Sequence, residues 1–418
     1  MVKPSQLILF LIIVFIFYGF LYFYFLHRYI KPLNLKGTRK KYVELFLFVF
    51  IYSTFIAFLI MRLQKGPVGL ISWIAWLGFG FIFTLFPFSL GRDFFLVLYQ
   101  WIVKIRQTGI RFRKTKKSSG NLSENSVVEN EISRRDFLLK SNLALVGFST
   151  MLAGYGAWQA RQTAQVYRVN IPIPGLPDHL AGFRIVQISD VHVGLLIDGI
   201  YLAGIVEKIN ELKPDMVAIT GDLVDGTVSA LREQTSCLRD IVSVHGSYFV
   251  TGNHEYYSGA KEWIHEIEKL GIKVLINNCD IIKSESNKKS LQKNLVIAGV
   301  PDRRAGKKFG HPYEPLAAIA GTSRDDIKIL LGHQPAGIGE ALKSGYHLQL
   351  SGHTHGGQFF PYNLGVPLFF KYSAGLYLHE GEENKKMWVY VNRGTGYWGP
   401  PLRTGMPSEI TCISLEKG

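Results

Sequence analysis

Five short blocks carry donor side chains that could hold metal ions. In chain order they are Asp190-Val191-His192, Gly221-Asp222-Leu223-Val224-Asp225, Gly252-Asn253-His254-Glu255, Gly332-His333 and Gly352-His353-Thr354-His355. Leaving Glu255 aside, they offer three carboxylates, one carboxamide and five imidazoles. Taken singly each block is weak: a Gly-Asp after a strand is commonly a turn, and Asn253 could serve its own turn. Together they supply oxygen and nitrogen donors with no thiolate, which favours Mn, Fe, Zn or a similar ion over Ca or Cu(I). The glycines before Asp222, Asn253, His333 and His353 permit tight backbone and close approach to an ion.

In this order the blocks resemble the calcineurin-like metallophosphoesterases, whose pattern is D-x-H, GD-x-x-D, GNH-E/D, H and GH-x-H. All five elements are present, within about residues 181–418. More narrowly, the chain resembles membrane-anchored bacterial members, related to transmembrane proteins with a metallophosphoesterase domain. Gly356-Gly357-Gln358 fits that subgroup, and Arg393-Gly394-Thr395-Gly396 fits it more loosely. The resemblance implies a four-layer αββα sandwich with two adjacent divalent metals. The first would take Asp190, His192 and His355, the second Asn253, His333 and His353, and Asp222 would bridge both. Two ions roughly 3.5–4 Å apart can hold a bridging hydroxide and neutralise phosphate oxygens during in-line attack. In the same pattern His254 faces substrate and donates a proton to the leaving oxygen, with Asp225 orienting its imidazole. The plainer role for Asp225 is a turn or helix cap. Arg393 and Arg403 could bind a substrate phosphate, although such arginines more often make structural salt bridges.

The elements that must position these blocks are legible as alternating patterns. β-branched apolar runs at 183–189, 216–220, 248–251, 295–299, 327–331, 347–350, 388–391 and 410–415 read as strands. Helical spacing appears at 199–212, where Leu202, Ile205, Val206 and Ile209 share a face, and at 228–242 and 260–270. Early alternation suggests an α/β sheet layered with helices, and the strand-rich end a second sheet. Each block follows a strand, where ligands sit in open α/β sheets. His179, His245, His265, His311, His347 and His379 fall outside the blocks and read as loop or exposed residues. Cys237, Cys279 and Cys412 show no C-x-x-C spacing, and Cys412 reads as a small core residue.

Before this part lies a different kind of sequence. The chain carries 47 Lys+Arg against 32 Asp+Glu, a net charge of +15. Residues 1–165 hold 21 basic and 6 acidic residues, and residues 166–418 hold 26 of each, so the whole excess sits in the first part. A neutral C-terminal part argues against nucleic-acid binding, which a basic chain would otherwise suggest. Apolar runs at 7–26, 43–61 and 68–90 are each long enough to span a bilayer, at about 20 residues. Residues 94–103 are half that length and read as an interfacial helix extending the third span. Basic clusters follow the first span (Arg28, Lys31, Lys36, Arg39, Lys40, Lys41) and the third (Lys104, Arg106, Arg111, Arg113, Lys114, Lys116, Lys117). The positive-inside rule makes both cytoplasmic and puts Met1 outside.

Residues 118–132 read as a flexible cytoplasmic linker. Ser133-Arg134-Arg135-Asp136-Phe137-Leu138-Leu139-Lys140 resembles the twin-arginine export motif with one extra Leu, and also reads as plain positive charge before a fourth span at about 143–158. Both readings send later residues out of the cytoplasm, on an uncleaved anchor. The expected organisation is thus three transmembrane helices plus an interfacial helix at 1–107, a basic and polar linker at 108–132, the motif and anchor at 133–165, and a metallophosphoesterase domain at 166–418. The expected function is a membrane-anchored, dinuclear-metal phosphoesterase of the bacterial cytoplasmic membrane, its catalytic domain extracytoplasmic. Its substrate would be a phosphodiester or pyrophosphate-linked lipid or envelope component. Hydrolysis of UDP-2,3-diacylglucosamine is the alternative, against which the topology speaks. A non-catalytic metal-binding interaction module would be favoured by lost ligands, and none is lost. A transporter would need buried ionisable groups in the spans, which carry almost none.

Overall fold

The computed structural model describes residues 4–63, 70–114, 134–194, 196–283 and 293–418. The expected linker at 118–132 and Ser133 of the arginine motif lie outside the described residues. The chain divides into two compact units, Met1–Phe58 with Leu77–Gly154, and Leu59–Trp76 with Tyr155–Gly418.

The first unit is helical, and the end of its second helix, the start of its third and the end of its fourth are counted with the second unit. Its elements are α1 (Pro4–Phe25), α2 (Gly37–Leu63), α3 (Leu70–Lys114) and α4 (Arg134–Ala160). Among the described residues, Ile8–Leu33, Trp73–Arg106 and Arg135–Ala160 are long and apolar enough to cross a membrane. The stretch at 94–103, expected as an interfacial helix extending the third span, continues α3 without a break. Aromatic rings interlock the helices, with Tyr24 on Phe86 at 5.3 Å and Tyr18 on Phe55 at 5.4 Å. Large apolar side chains such as Ile8, Leu9, Ile16 and Phe46 face outward, as lipid-facing residues do. Arg135 Nε donates to Pro32 O at 2.9 Å, and Asn142 Nδ2 donates to Arg28 O at 2.7 Å. The arginine pair therefore begins α4 at the same end of the bundle as the first basic cluster. Asp93, 7% exposed, ion-pairs with Arg28 at 2.8 Å and accepts from Tyr24 at 2.8 Å. It lies within the Trp73–Arg106 stretch, so the helices bury at least one ionisable pair that the sequence reading of the spans did not include.

The second unit contains two six-stranded sheets. The strands are β1 (Gln165–Ile173), β2 (Arg184–Ile188), β3 (Met216–Ile219), β4 (Ser247–Phe249), β5 (Lys273–Val274), β6 (Asn278–Ile282), β7 (Leu295–Gly299), β8 (Ile327–Leu331), β9 (Leu348–Ser351), β10 (Gly375–Glu380), β11 (Lys386–Val391) and β12 (Glu409–Lys417). One sheet has the order β1-β12-β2-β3-β4-β5, the other β10-β11-β9-β8-β7-β6. The helices are α5 (Gly199–Glu211), α6 (Val228–Thr235), α7 (Asn253–Ser258), α8 (Ala260–Lys269), α9 (Ala305–Lys308), α10 (Ile338–Ser344) and α11 (Tyr362–Phe369).

Side chains alternate across each strand, and that alternation builds the layers. Ile185, Met216 and Ala218 meet Ile327, Ile329 and Leu331 in a core between the sheets. Val186, Ile188, Val217 and Ile219 turn the other way, against Leu202, Ile205 and Ile209 of α5 and Trp263 and Ile267 of α8. On the far side Leu330 and Val389 pack with Ile338 and Ala341 of α10. The result is helix, sheet, sheet, helix, as expected.

Three details differ from the sequence reading. The expected helix at 228–242 stops at Thr235 and continues as a 3-10 turn, Ser236–Asp240. Thr235 Oγ1 bonds back to Leu231 O at 3.1 Å and Ser236 Oγ to Glu233 O at 2.7 Å, which competes with the helical ladder. β1, β5, β6 and β10 fall outside the strand runs of the sequence. β1 lies at a sheet edge, where Pro172 forfeits no ladder bond to a second neighbour. His347 lies in the bend before β9 but is not free: its Nδ1 accepts from Lys328 N at 3.1 Å, and burial with Lys328 nearby lowers its pKa to about 4.

Candidate metal centre

Each block sits on the turn that leaves the carboxyl end of a strand. Asp190 and His192 follow β2, Asp222 and Asp225 follow β3, Asn253 and His254 open α7 after β4, His333 follows β8, and His353 and His355 follow β9. The turns are tied to one another through main chain: Asp190 N donates to Gly221 O at 3.0 Å, His192 N to Asp222 O at 3.1 Å and Gly352 N to His333 O at 2.9 Å. Asp190, His192, Asp222, His353 and His355 all adopt left-handed backbone, with φ between 50° and 73°. For a non-glycine residue that costs on the order of 1–3 kcal/mol each and persists only where the surroundings impose it. Here the need to aim five donors inward imposes it.

The side chains converge in neighbouring groups. Asp190, His192 and His355 form one, Asp222, His333 and His353 form another, and a third, His192 with Asp225 and His254, overlaps the first through His192. His192 Nε2 faces His355 Nε2 at 3.2 Å, and His355 Nε2 lies 3.4 Å from Asp190 Oδ1. His333 Nε2 faces His353 Nδ1 at 3.1 Å and Asp222 Oδ2 at 3.1 Å. Asp222 Oδ2 is also 3.9 Å from His192 Nε2, so this carboxylate stands between the groups.

Imidazole nitrogens aimed at each other across about 3 Å need a cation between their lone pairs or a shared proton. Three observations favour a cation. His333 Nδ1 lies 2.8 Å from Thr220 O and His192 Nδ1 lies 3.1 Å from Asp225 Oδ2, so each acceptor takes the Nδ1 proton and leaves Nε2 free to ligate. Asn253 Oδ1 is buried with no hydrogen-bond partner, an orphaned oxygen of the type a metal satisfies. Finally, a Cβ at Gly352 would collide with Asp190 Oδ2, and one at Gly252 with Asp222 Oδ1, so glycine is required for this close approach. The donor set therefore fits divalent metal ions.

His254 is the exception among the imidazoles. Its Nδ1 is hydrogen-bonded to Asp225 Oδ1, while its Nε2 is 3.9 Å from Asp222 Oδ2 and turned toward the groups. Burial disfavours its charge, but Asp225 and Asp222 outweigh burial and raise its pKa to about 9. Burial likewise opposes the charge on Asp225, yet His254 and His192 hold its carboxyl below the usual range. Asp225 thus serves two imidazoles at once. The expectation had been one.

Glu255 had been set aside and turns out to be a hub. It is fully buried, and its carboxylate accepts from Asp222 N at 2.9 Å, Leu223 N at 2.7 Å and Gly252 N at 2.6 Å. It clamps the turn after β3 to the turn after β4. Its place three residues after Gly252, where an acidic side chain reaches back to a helix start, was the available signal.

The two arginines do not line an open site. Arg403 is fully buried, and its guanidinium donates to the carbonyls of Arg393 at 2.7 Å, Gly394 at 3.2 Å and Gly396, with Nη2 3.2 Å from His355 Nδ1. That corrects the expectation of a phosphate ligand: a fork spent on main chain has nothing left for substrate. Burial and the Arg403 charge push the pKa of His355 down, which keeps its ring neutral. Arg393 pairs with buried Glu409 at 3.0 Å and stacks 4.7 Å over the Tyr167 ring.

Residues 183–357 match the family model described as calcineurin-like phosphoesterase. The chain is 38% identical over 281 residues to a transmembrane protein with metallophosphoesterase domain of Danio rerio, covering 66% of this chain and 62% of that protein. It is 36% identical to the protein of the same description in Bos taurus, covering 68% and 64%. An uncharacterised metallophosphoesterase of Helicobacter pylori strain J99 is 35% identical, covering 66% and 70%. The chain thus spans less than two thirds of the length of the two vertebrate relatives.

Proposed function

The chain belongs to the calcineurin-like metallophosphoesterases and is a metal-dependent phosphoester hydrolase; from that premise we propose a dinuclear centre that opens a phosphodiester or pyrophosphate bond outside the cytoplasm. The observation that carries this reading is the pair of donor groups, Asp190-His192-His355 and Asp222-His333-His353, with Asp222 Oδ2 3.1 Å from His333 Nε2 and 3.9 Å from His192 Nε2, and Asn253 Oδ1 buried and unpartnered. One group would hold a divalent ion (Mn, Fe or Zn) on Asp190, His192 and His355, the other on Asn253, His333 and His353, with Asp222 common to both. Bound there, such ions supply an activated water and charge neutralisation on the phosphate oxygens.

The chain's own residues supply the rest. His254, kept charged by Asp225 and Asp222, gives its Nε2 proton to the leaving oxygen as the P–O bond breaks. Asp225 holds that ring and the His192 ring in register. Glu255 fixes the backbone of Asp222, so the shared carboxylate does not swing. Arg403 anchors the 393–396 loop and His355 from behind.

Sidedness rests on charge. The basic clusters after the first and third spans are cytoplasmic, and Arg135 begins α4 beside the first of them. The domain that follows α4 then lies across the membrane, where lipid or envelope phosphoesters are the substrates within reach. Purified full-length chain loaded with Mn should hydrolyse diesters or pyrophosphates in a screen that also includes monoesters and UDP-2,3-diacylglucosamine. Failure on every phosphoester with metal demonstrably bound would sink the catalytic reading. A reporter after Gly418 that works only outside should be active; activity only inside would restore hydrolysis of UDP-2,3-diacylglucosamine.

A further inference from the structure

The strongest feature outside the metal centre is an outward-facing apolar run at the end of α11. Leu368 and Phe369 are 82% and 84% exposed, and Pro367 and Phe370 beside them are exposed as well. Four consecutive apolar residues in water are a solvation cost that marks a contact surface. Exposed Lys371 follows immediately. The run is rigidly tied to the site. The turn after His355 leads into α11 through Gly357, where any side chain would strike the Asn363 main chain. The Phe370 ring lies 6.3 Å from the His353 ring. Across the site, the Trp398 ring lies 5.7 Å from the His254 ring, and Gln358 grips both Trp398 N, at 2.9 Å, and Trp398 O, at 3.0 Å. The metal centre therefore opens between two apolar edges.

What covers these edges follows from where the Trp398 loop is rooted. In the same unit Arg403 N donates to Gly156 O at 3.0 Å, so the loop is built on the last turns of α4, a helix apolar enough to cross a membrane. Trp76, of that unit, lies within contact range of Gly399, and the Arg161 guanidinium stacks 4.6 Å from the Trp73 ring. Trp and Arg at the ends of spans settle at headgroup level. Lys at the edge of an apolar patch keeps its charge among phosphates while its stem lies on acyl chains.

Resting on the reading of this chain as a membrane-anchored phosphoesterase, we infer that residues 367–370 and Trp398 dip into the headgroup–acyl boundary of the bilayer holding α4, so that the metal centre takes its phosphoester from the lipid surface.

The test uses the full chain in phosphatidylcholine–phosphatidylglycerol vesicles. A nitroxide is placed at Phe369→Cys, with Cys237→Ser and Cys279→Ser, and a control label at Leu378→Cys on β10. The label at 369 should favour collision with oxygen over a water-soluble nickel chelate by about tenfold more than the control, as an acyl-boundary position does. Equal accessibility at the two positions would overturn the inference, and so would dipolar broadening showing that a second copy covers residue 369. A paired variant, Leu368→Asp with Phe369→Asp, should keep hydrolysis of a soluble aryl phosphodiester within about twofold and lose about tenfold or more on a vesicle-presented phosphoester, given the apolar area withdrawn from lipid. Equal losses on both substrates count against it. Wild type that cleaves the soluble ester and no lipid-presented one refutes the lipid substrate alone; the labels still decide where the edge lies.

Discussion

The two halves of the metal centre use the same construction, a turn after a strand, but are held by opposite kinds of partner. On one half His192 is braced by the Asp225 carboxylate, and His355 is backed by the Arg403 guanidinium. On the other, His333 is braced by the Thr220 carbonyl, and Asn253 brings a neutral carboxamide. One half is thus wired to ionisable groups and, through Asp225, to His254, the proposed proton donor. The other is set by main chain and by Asp222, whose charge outweighs burial and raises the pKa of His333. A substitution on the first half should therefore alter metal holding and proton transfer together, and one on the second should alter metal holding alone.

The largest effect should come from Asp222, the carboxylate proposed to serve both halves. Asp222→Asn is expected to strip metal from both and to lower turnover on the order of a thousandfold or more, read by metal content and kcat. Retention of full metal by this variant would erase the idea of a common carboxylate. Next is His254→Ala, which should keep its metal and lose roughly 10²–10⁴-fold in kcat, most for alkyl leaving groups. Unchanged activity on an alkyl phosphodiester would remove His254 from the reaction.

Asp225→Asn should cost about 10–100-fold and weaken metal binding on the His192 half. It also tests the sign of the pH dependence. The pKa of His254 is raised above its ordinary 6.5 to about 9, so the acid form is present below about 9 and disappears above it. Divalent ions beside the ring would lower that value, so wild-type kcat should fall with rising pH at or below about 9, and the fall should move further toward neutral pH in Asp225→Asn. The same raised value stabilises the fold below about 6.5, and that contribution is lost as pH rises through about 9. A pH profile identical in both proteins would break the link between Asp225 and the donor. The smallest effect should be Arg403→Lys, which keeps a charge but not a fork. It should weaken Mn binding by about tenfold on the His355 half, visible by titration, with little change at the His333 half.

Much of this site is legible in the sequence because donor chemistry is local. Gly-Asp, Gly-Asn-His and Gly-His-Thr-His each fit on one turn, and the strand patterns before them place every block at the same end of a sheet. What the sequence hides is whatever depends on folding over distance. Glu255 is a plain acidic residue until the turn after β3 arrives to donate three amides to it. Arg403 looks like a phosphate ligand until carbonyls from the 393–396 loop close around it. The left-handed backbone at five donors belongs to aspartates and histidines, not to the glycines that advertise such conformations. β1 is hidden for a different reason: an edge strand needs only one good face, so its polar and proline residues weaken its pattern.

That edge strand has a consequence for the order in which the domain can form. β1 follows α4 almost at once, yet its partner is β12, and the nine-residue parallel register joins Gln165 to Glu409 and Ile173 to Lys417. The first strand to be synthesised has no neighbour until the last one is made. The sheet behind Asp190 and Asp222 therefore cannot complete itself during synthesis, and long-range pairing of this kind is slow. Closure by β12 is then the step that completes this sheet, and a block placed in β12 should leave β1 unpaired and the sheet behind Asp190 and Asp222 incomplete.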